Sequence, residues 1–425
     1  MVKILHAADI HLDSPLRGLE GHEGGRVEDI RGATRRAFDN LVELALEEKV
    51  DLLLLAGDLY DGDWKDYNTG LYFVSRMGRL HRGGVRVCMV SGNHDAASRI
   101  TRAMPLPGNV SLFSSRSAET VCYDDLGLAI HGRSYPARAV AENLAAGYPA
   151  AVEGFCNIGL LHTSLAGRPG HEPYAPCSVD DLCGKGYQYW ALGHVHCREV
   201  VARDPWIVFP GNLQGRHVRE EGDKGATLVL IEDNVIVEVQ HRPLDVVRWK
   251  SCQVDLGACQ AVEEVYEAVR QAMGDSLAQA EGRVLALRLT LCGTTAVHPL
   301  LHGRSFQLGE ELRGLAAALG EVWLEEVRLE TRPPAAASPG DGGDTPLAGL
   351  LHTLEEVVAG GDVAGLAPEL SLLRSRMPAE LADAASFVGD EETERRLLSD
   401  VRELLLARLL RSEEHTSELQ SRFGI

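Results

Sequence analysis

Apolar residues along this chain follow two rhythms. Short unbroken apolar runs, each closed by Gly, Asp, Asn or His, occur at 2–8 ("VKILHAA"), 52–57 ("LLLLAG") and 85–91 ("VRVCMVS"). Such runs read as strands buried on both faces. Between them, 29–48 ("DIRGATRRAFDNLVELALEE") and about 67–82 space their apolar residues at helical intervals. The alternation predicts α/β layering, a sheet covered by helices. From about 108 to 245 strands dominate: "VSLFS", "TVCYDD", "LAIHGRSY", "NIGLLHTS", "YWALGHVH", "WIVFPGN", "ATLVLIED" and "VIVEVQHRP".

The pattern then changes scale. Residues 248–332 alternate strand, helix, strand, helix, strand, as a small α+β accessory domain would. Residues 333–346, rich in Pro, Gly, Ala and Asp, read as a linker. Residues 347–410 read as helical, and the apolar stripe of "EETERRLLSDVRELLLARLL" wants a partner surface. The last stretch, 411–425, opens with "RSEEHTSELQS", which resembles the conceptual translation of a sequencing-adapter oligonucleotide. The natural reading frame is therefore expected to end near residue 410.

Composition adjusts this picture in two places. The formal charge is −20 over 425 residues, which at first sight argues against a polyanionic partner. The acidity is uneven, however. Residues 1–250 carry 27 Lys and Arg against 33 Asp and Glu, a net of −6, and bound divalent cations would nearly cancel that. Nine cysteines without a C-x-x-C spacing suggest reduced thiols and a cytoplasmic protein. No run of about 18 apolar residues appears, and the opening residues do not read as a signal peptide, so no membrane partner is expected.

Candidate chemistry lies where the apolar runs stop. Five strands end in metal-ligand residue types: Asp9 and His11 in "AADIHLD", Asp58 in "LAGDLYD", Asn93 in "SGNHD", His162 in "LLHTS", and His194 and His196 in "LGHVH". Positions i and i+2 of a strand share a face, so each pair can reach one centre. Strand C-termini of an α/β sheet also converge on one rim. Carboxylate, imidazole and amide oxygen without thiolate suit Mn²⁺, Fe²⁺ or Zn²⁺. Seven ligands are too many for one open ion but serve two, and two ions about 3.5–4 Å apart can hold an attacking hydroxide and stabilise both oxygens at phosphorus. Taken singly, each motif is a passable turn or core histidine; five in order at strand ends are not.

D-x-H, G-D, G-N-H-D, a lone strand-end His and G-H-x-H form the ordered signature that this chain shares with the calcineurin-like metallophosphoesterases, which it resembles. More narrowly, "HAADIHLDSPL", "AGDLYDG", "IHGRSY" and "FPGNLQGRHVRE" are similar to the SbcD/YhaO-type DNA-repair exonucleases. The resemblance implies a layered α/β metallophosphoesterase sandwich over 1–247, with 248–332 as a capping domain and a C-terminal helical segment. It implies one ion held by Asp9, His11 and His196, another by Asn93, His162 and His194, and Asp58 bridging. His94 would meet the scissile phosphate and protonate the leaving oxygen, and Asp95 would orient His94. It further implies two divalent ions, Mn²⁺ favoured, acting on DNA ends, a homodimer, and a coiled-coil ATPase of the SbcC/YhaN type docked through the C-terminal helices. No Walker motif lies in the chain itself.

One position departs from the pattern. Some nucleases of this group carry a His three residues after the bridging Asp, where this chain has Asp61, so the balance of exonuclease and endonuclease action is open. Arg216, His217 and Arg219 suit phosphate contacts and a solvated strand edge about equally. His6, His22, His81, His131 and His171 read as structural or exposed, and Arg31, Arg35 and Arg36 as a charged helix face. The alternatives are a metallophosphoesterase of another substrate class, small-nucleotide or phosphoprotein, and a non-catalytic scaffold. "GDLYDG" and "GNHD" in place of GDxVDRG and GNHE argue against the protein phosphatases, and the intact ligand set argues against the scaffold.

Overall fold

The first three apolar runs become parallel strands because each can be covered twice. The computed structural model describes residues 1–14, 30, 32–61, 67–97, 105–165, 174–334 and 401. β1 (Val2–Ala7), β2 (Leu52–Ala56), β3 (Arg86–Val90) and β4 (Val110–Leu112) lie side by side in parallel register. A second sheet contains β5 (Glu119–Tyr123), β6 (Leu128–Gly132), β7 (Cys156–His162), β8 (Tyr189–Gly193), β9 (Glu199–Arg203) and β10 (Trp206–Phe209), in the order β5-β6-β7-β8-β10-β9. The chain then returns to the first sheet: β11 (Gly225–Glu232) and β12 (Val235–Pro243) complete the order β12-β11-β1-β2-β3-β4.

Alternation along each strand sorts the core into layers. Leu5 and Ala7 of β1, Leu53 and Leu55 of β2, and Val87 and Met89 of β3 face helices α1 (Ala33–Glu47) and α2 (Tyr67–Arg82), packing on Phe38, Leu41, Phe73 and Met77. Their neighbours Ile4, Leu52, Leu54, Cys88 and Val90 face the other way and meet Ile130, Ile158, Leu160, Tyr189 and Ala191 of the second sheet. Beyond that sheet, Trp190, Leu192, Ile207 and Phe209 bury against Tyr135, Leu144, Tyr148 and Leu182. The α/β sandwich expected from the sequence is thus formed, with both faces of both sheets in contact with apolar side chains.

Local differences have local causes. α1 covers Ala33–Glu47 of the helix expected over 29–48, whose start at residue 29 lies outside the described residues. β9, the five-residue helix α3 (Asn93–Ala97) and the capped turn α4 (Val179–Cys183) carry no strong periodicity and were not expected. α4 is set by Ser178 and Asp181, which form a reciprocal capping box.

Two compact units divide the chain: Met1–Ser251 with Leu277–Leu287, and Cys252–Ser276 with Arg288 onward. Residues 277–287 join the first unit, where the buried carboxylate of Asp245 pairs with Arg248 at 3.1 Å and Arg283 at 2.9 Å. The second unit contains the later parts of β13 (Val247–Asp255) and β14 (Val284–Thr294) and all of β15 (Val322–Arg332), strands that form a three-stranded sheet. Its helices are α5 (Val262–Ala278), α6 (His298–Gly303) and α7 (Ser305–Leu319), and α6, with Pro299 in its first turn, adds a short helix to the expected order. The linker beyond 334, the helical segment 347–410 apart from Val401, and 411–425 lie outside the described residues. Among the described residues no helix is long and apolar enough to cross a membrane.

Candidate metal centre

The ends of β1, β2 and β3 from one sheet, and of β7 and β8 from the other, open onto a common rim. The chain turns there in unusual backbone geometry. Asp9, His11 and Asp58 have φ of 50°, 45° and 52°, and His194 has 102°. Left-handed backbone at a non-glycine residue costs about 1–3 kcal/mol and persists only where surrounding bonds over-determine it. Here they do. The amide of Asp9 donates to the Gly57 carbonyl at 3.0 Å, and those of Ile10 and His11 donate to the Asp58 carbonyl at 2.9 and 3.1 Å. Gly57 (φ 92°) allows the sheets to approach, since a Cβ there would lie 2.5 Å from Nδ1 of His162.

All seven predicted ligands meet at this rim. Asp9, His11 and His196 bring one donor atom each within 4.8 Å of one another, and so do Asp58, His162 and His194. In the first cluster the two Nε2 atoms of His11 and His196 face each other at 3.4 Å, and Nε2 of His196 is 3.7 Å from Oδ1 of Asp9. In the second, Nε2 of His162 is 2.9 Å from Oδ1 of Asn93 and 3.4 Å from Oδ2 of Asp58. Asp58 and Asp9 are steadied from outside, by the His94 amide (2.9 Å) and the His194 amide (2.9 Å) respectively.

Whether these residues suit cations is answered by their unmet demands. Oδ1 of Asp9 and Nδ1 of His11 are buried without a hydrogen-bond partner among the described residues, and leaving such atoms bare is expensive. The ring nitrogens that face away are committed: Nδ1 of His162 donates to the Ala56 carbonyl at 2.9 Å, and Nδ1 of His196 donates to Oε1 of Glu220 at 2.6 Å. Both imidazoles therefore turn a lone pair on Nε2 inward, as metal ligands require. Charge tells the same story. Burial raises the Asp9 carboxyl, and burial with Arg216 pushes His11 down to about 3. Burial would also lower His162, but the Asp58 carboxylate overcomes it and holds the ring up at about 9. Carboxylates and imidazoles converge on two points, and the proton that Asp58 draws onto His162 stands where positive charge is wanted, a donor set that fits two divalent cations.

His94 stands at the edge of the clusters, with its side chain 29% exposed, and its Nδ1 is 3.0 Å from Oδ1 of Asp61. That hydrogen bond raises its pKa. The expected role of Asp95 is corrected here. His94 and Asp95 are neighbours in α3, and adjacent helical residues diverge by about 100°. Asp95 instead turns inward and accepts from the amides of Leu59 (3.2 Å), Tyr60 (2.9 Å) and Gly92 (3.0 Å), tying the β2 and β3 loops together. Burial, with Asp58 nearby, pushes its carboxyl up to about 6. Asp61 is the residue that orients His94; it is held by the Ser14 hydroxyl (2.6 Å) and also stands 3.7 Å from Nδ1 of His11.

Sequence reasoning singled out neither Asp61 in that role nor Glu220. Glu220 is buried; one oxygen takes the His196 ring, and the other accepts from Asn212 Nδ2 (2.9 Å) and the Arg216 amide (2.7 Å). The available signals were the D-x-x-D spacing of Asp58 and Asp61, and an acid in "QGRHVRE". His6 and His131 are buried structural groups: His6 lies between the Tyr189 hydroxyl and the Leu192 carbonyl, and His131 between Thr120 and Asn157.

Comparison with known proteins agrees with this geometry. The calcineurin-like phosphoesterase family pattern matches residues 2–269, and that of the metallophosphoesterase YhaO middle domain matches 249–332. The uncharacterized metallophosphoesterase YhaO of Bacillus subtilis (strain 168) is 36% identical over 329 residues, covering 76% of this chain and 79% of that protein. The DNA double-strand break repair protein Mre11 of Sulfurisphaera tokodaii is 27% identical, over 53% of this chain and 59% of that one. Its counterpart from Methanopyrus kandleri is 28% identical, over 50% and 48%. The chain thus spans about half the length of the Mre11 proteins it matches.

Proposed function

This chain belongs to the calcineurin-like phosphoesterases, and we propose that it is a metal-dependent nuclease that hydrolyses phosphodiesters at DNA ends. The observation that carries the reading is the placement of His94, held by Asp61, at the open edge of the two ligand clusters. Asp9, His11 and His196 would hold one ion and Asn93, His162 and His194 the other, with Asp58 between them. Mn²⁺ suits this donor set, and such ions supply Lewis acidity and concentrated positive charge at the reacting phosphate.

The chain's own groups do the rest. The Ala56 carbonyl and Glu220 fix the tautomers of His162 and His196, so both ligands are preset. Asp61 holds the His94 ring by Nδ1 and favours its protonated form, which leaves Nε2–H free to pass a proton to the departing oxygen. DNA as substrate is supported by similarity to proteins named for double-strand break repair. We propose further that the enzyme works as a homodimer with a coiled-coil ATPase partner, which would supply any ATP dependence.

The test is release of nucleotides from end-labelled linear duplex DNA with Mn²⁺, Mg²⁺ or chelator, beside His94→Ala. Metal-dependent release that disappears in the variant is expected. Hydrolysis of a small aryl phosphodiester without any DNA cleavage, even with the ATPase added, would move the enzyme to a small-nucleotide substrate class.

A further inference from the structure

Arg216 has more donors than the described residues give it acceptors. A guanidinium carries five N–H groups and is comfortable when they meet oxygens at about 2.7–3.2 Å. Arg288 illustrates the ordinary case, with Nε and Nη2 at 3.0 and 2.9 Å from the two oxygens of Glu325. Arg216 differs on every count. Its Nε is buried with no partner among the described residues. Its Nη1 reaches the Ser14 hydroxyl only at 3.5 Å and Asp61 Oδ2 only at 3.8 Å. Its Nη2 lies 3.4 Å from Glu220 Oε1 and 3.3 Å from His196 Nδ1. That nitrogen is no acceptor, since it donates to the same oxygen at 2.6 Å, and the oxygen is shared with it at a distance too long for a good contact to the guanidinium.

The residue is nevertheless held in place. Its amide is fixed on Glu220 at 2.7 Å, and its side chain is 15% exposed. Its guanidinium approaches Asp61, which holds His94, and His196, which belongs to the first ligand cluster. A fixed, under-satisfied cation beside a centre suited to two dications is repelled unless an anion joins them. Phosphate oxygens match the planar fork of a guanidinium and would meet its open N–H groups.

We propose that Arg216 is the anion anchor of this centre, binding a non-bridging oxygen of the phosphoryl group that enters between the ligand clusters and His94. The proposal rests on the phosphoesterase reading of the same site, and it gives Arg216 a contact with substrate rather than with metal. Asp61 and Glu220 then serve as spacers that park the guanidinium without saturating it.

The experiment compares the Mn²⁺-loaded wild type with Arg216→Ala and Arg216→Lys. Inorganic phosphate binding is read by calorimetry, steady-state kinetics with bis(4-nitrophenyl) phosphate, and metal content by elemental analysis. Loss of a charge-assisted contact should weaken phosphate binding by about 10–100-fold in the alanine variant and less in the lysine variant. KM should rise more than kcat falls, metal content should stay unchanged, and added guanidinium ion should restore part of the binding in Arg216→Ala alone. Phosphate binding equal to wild type in Arg216→Ala overturns the proposal, as does a loss that only follows loss of metal, or a metal-loaded wild type that binds no phosphate. Arg216-dependent phosphate binding in a protein that hydrolyses no phosphodiester would keep the anchor and defeat the nuclease reading instead.

Discussion

Replacing Asp61 by Asn tests how His94 is made into an acid. The perturbation is small in volume, and an amide oxygen can still accept from a neutral imidazole, but the negative charge 3.0 Å from Nδ1 is removed. Hydrogen bonds to charged groups contribute about 1.5–3 kcal/mol, and both side chains here are about a quarter exposed, which favours the lower end. Since about 1.4 kcal/mol is tenfold in rate, kcat should fall by roughly 10–30-fold. Asp61→Ala, which removes the acceptor as well, should lose more. The assay is a pair of phosphodiesters that differ in leaving group. Nitrophenolate departs without a proton, whereas a nucleoside alkoxide needs one, so the loss should appear with a dinucleotide and nearly vanish with the aryl ester. Equal losses on both substrates would refute the reasoning. So would a parallel fall in bound metal, because Asp61 would then be acting through His11, 3.7 Å away.

Three further outcomes follow from the same geometry. Glu220→Gln should weaken metal binding by about 10–100-fold in a chelator competition, because the carboxylate that sets the His196 tautomer is gone. Gly193→Ala should lower both thermal stability and metal content, since its Cβ would collide with the Ala56 carbonyl and press on His162; a well-folded, metal-replete variant would show that the two sheets can part there. His6 is kept neutral, its pKa lowered to about 3 by burial, against an unfolded value near 6.5. The unfolded chain therefore binds a proton that the folded chain refuses, so this contribution to stability is present above pH 6.5 and is lost as pH falls. Between pH 7 and 5 the wild type should lose about 2 kcal/mol more than His6→Gln in urea titrations, and identical slopes would contradict it.

The parts of this molecule legible in its sequence share a physical cause. A strand buried on both faces leaves no doubt about where apolar residues end, so Asp9, Asp58, Asn93, His162 and His194 announce themselves at the break. Asp61 and Glu220 sit in loops, where acids are ordinary, and only the third dimension brings them to His94 and His196. Asp95 turns away from His94 because adjacency along the chain is not adjacency in a helix. β9 and α4 went unseen because their stability comes from one neighbouring strand and one capping box, not from periodic burial.

The position of β1 has a consequence for the birth of the protein. All seven ligands are synthesised by residue 196, yet β1, which carries the first two at its end, lies between β2 and β11, and β11 begins at Gly225. A growing chain folds from its N-terminus. Until β11 emerges, β1 is an edge strand with one flank of its backbone unpaired, and Glu220, which steadies His196, has only just appeared. A polypeptide stalled or cut near residue 200 would hold every ligand and still lack a finished centre. The order of strands thus places completion of the centre after Gly225, well beyond its last ligand at His196.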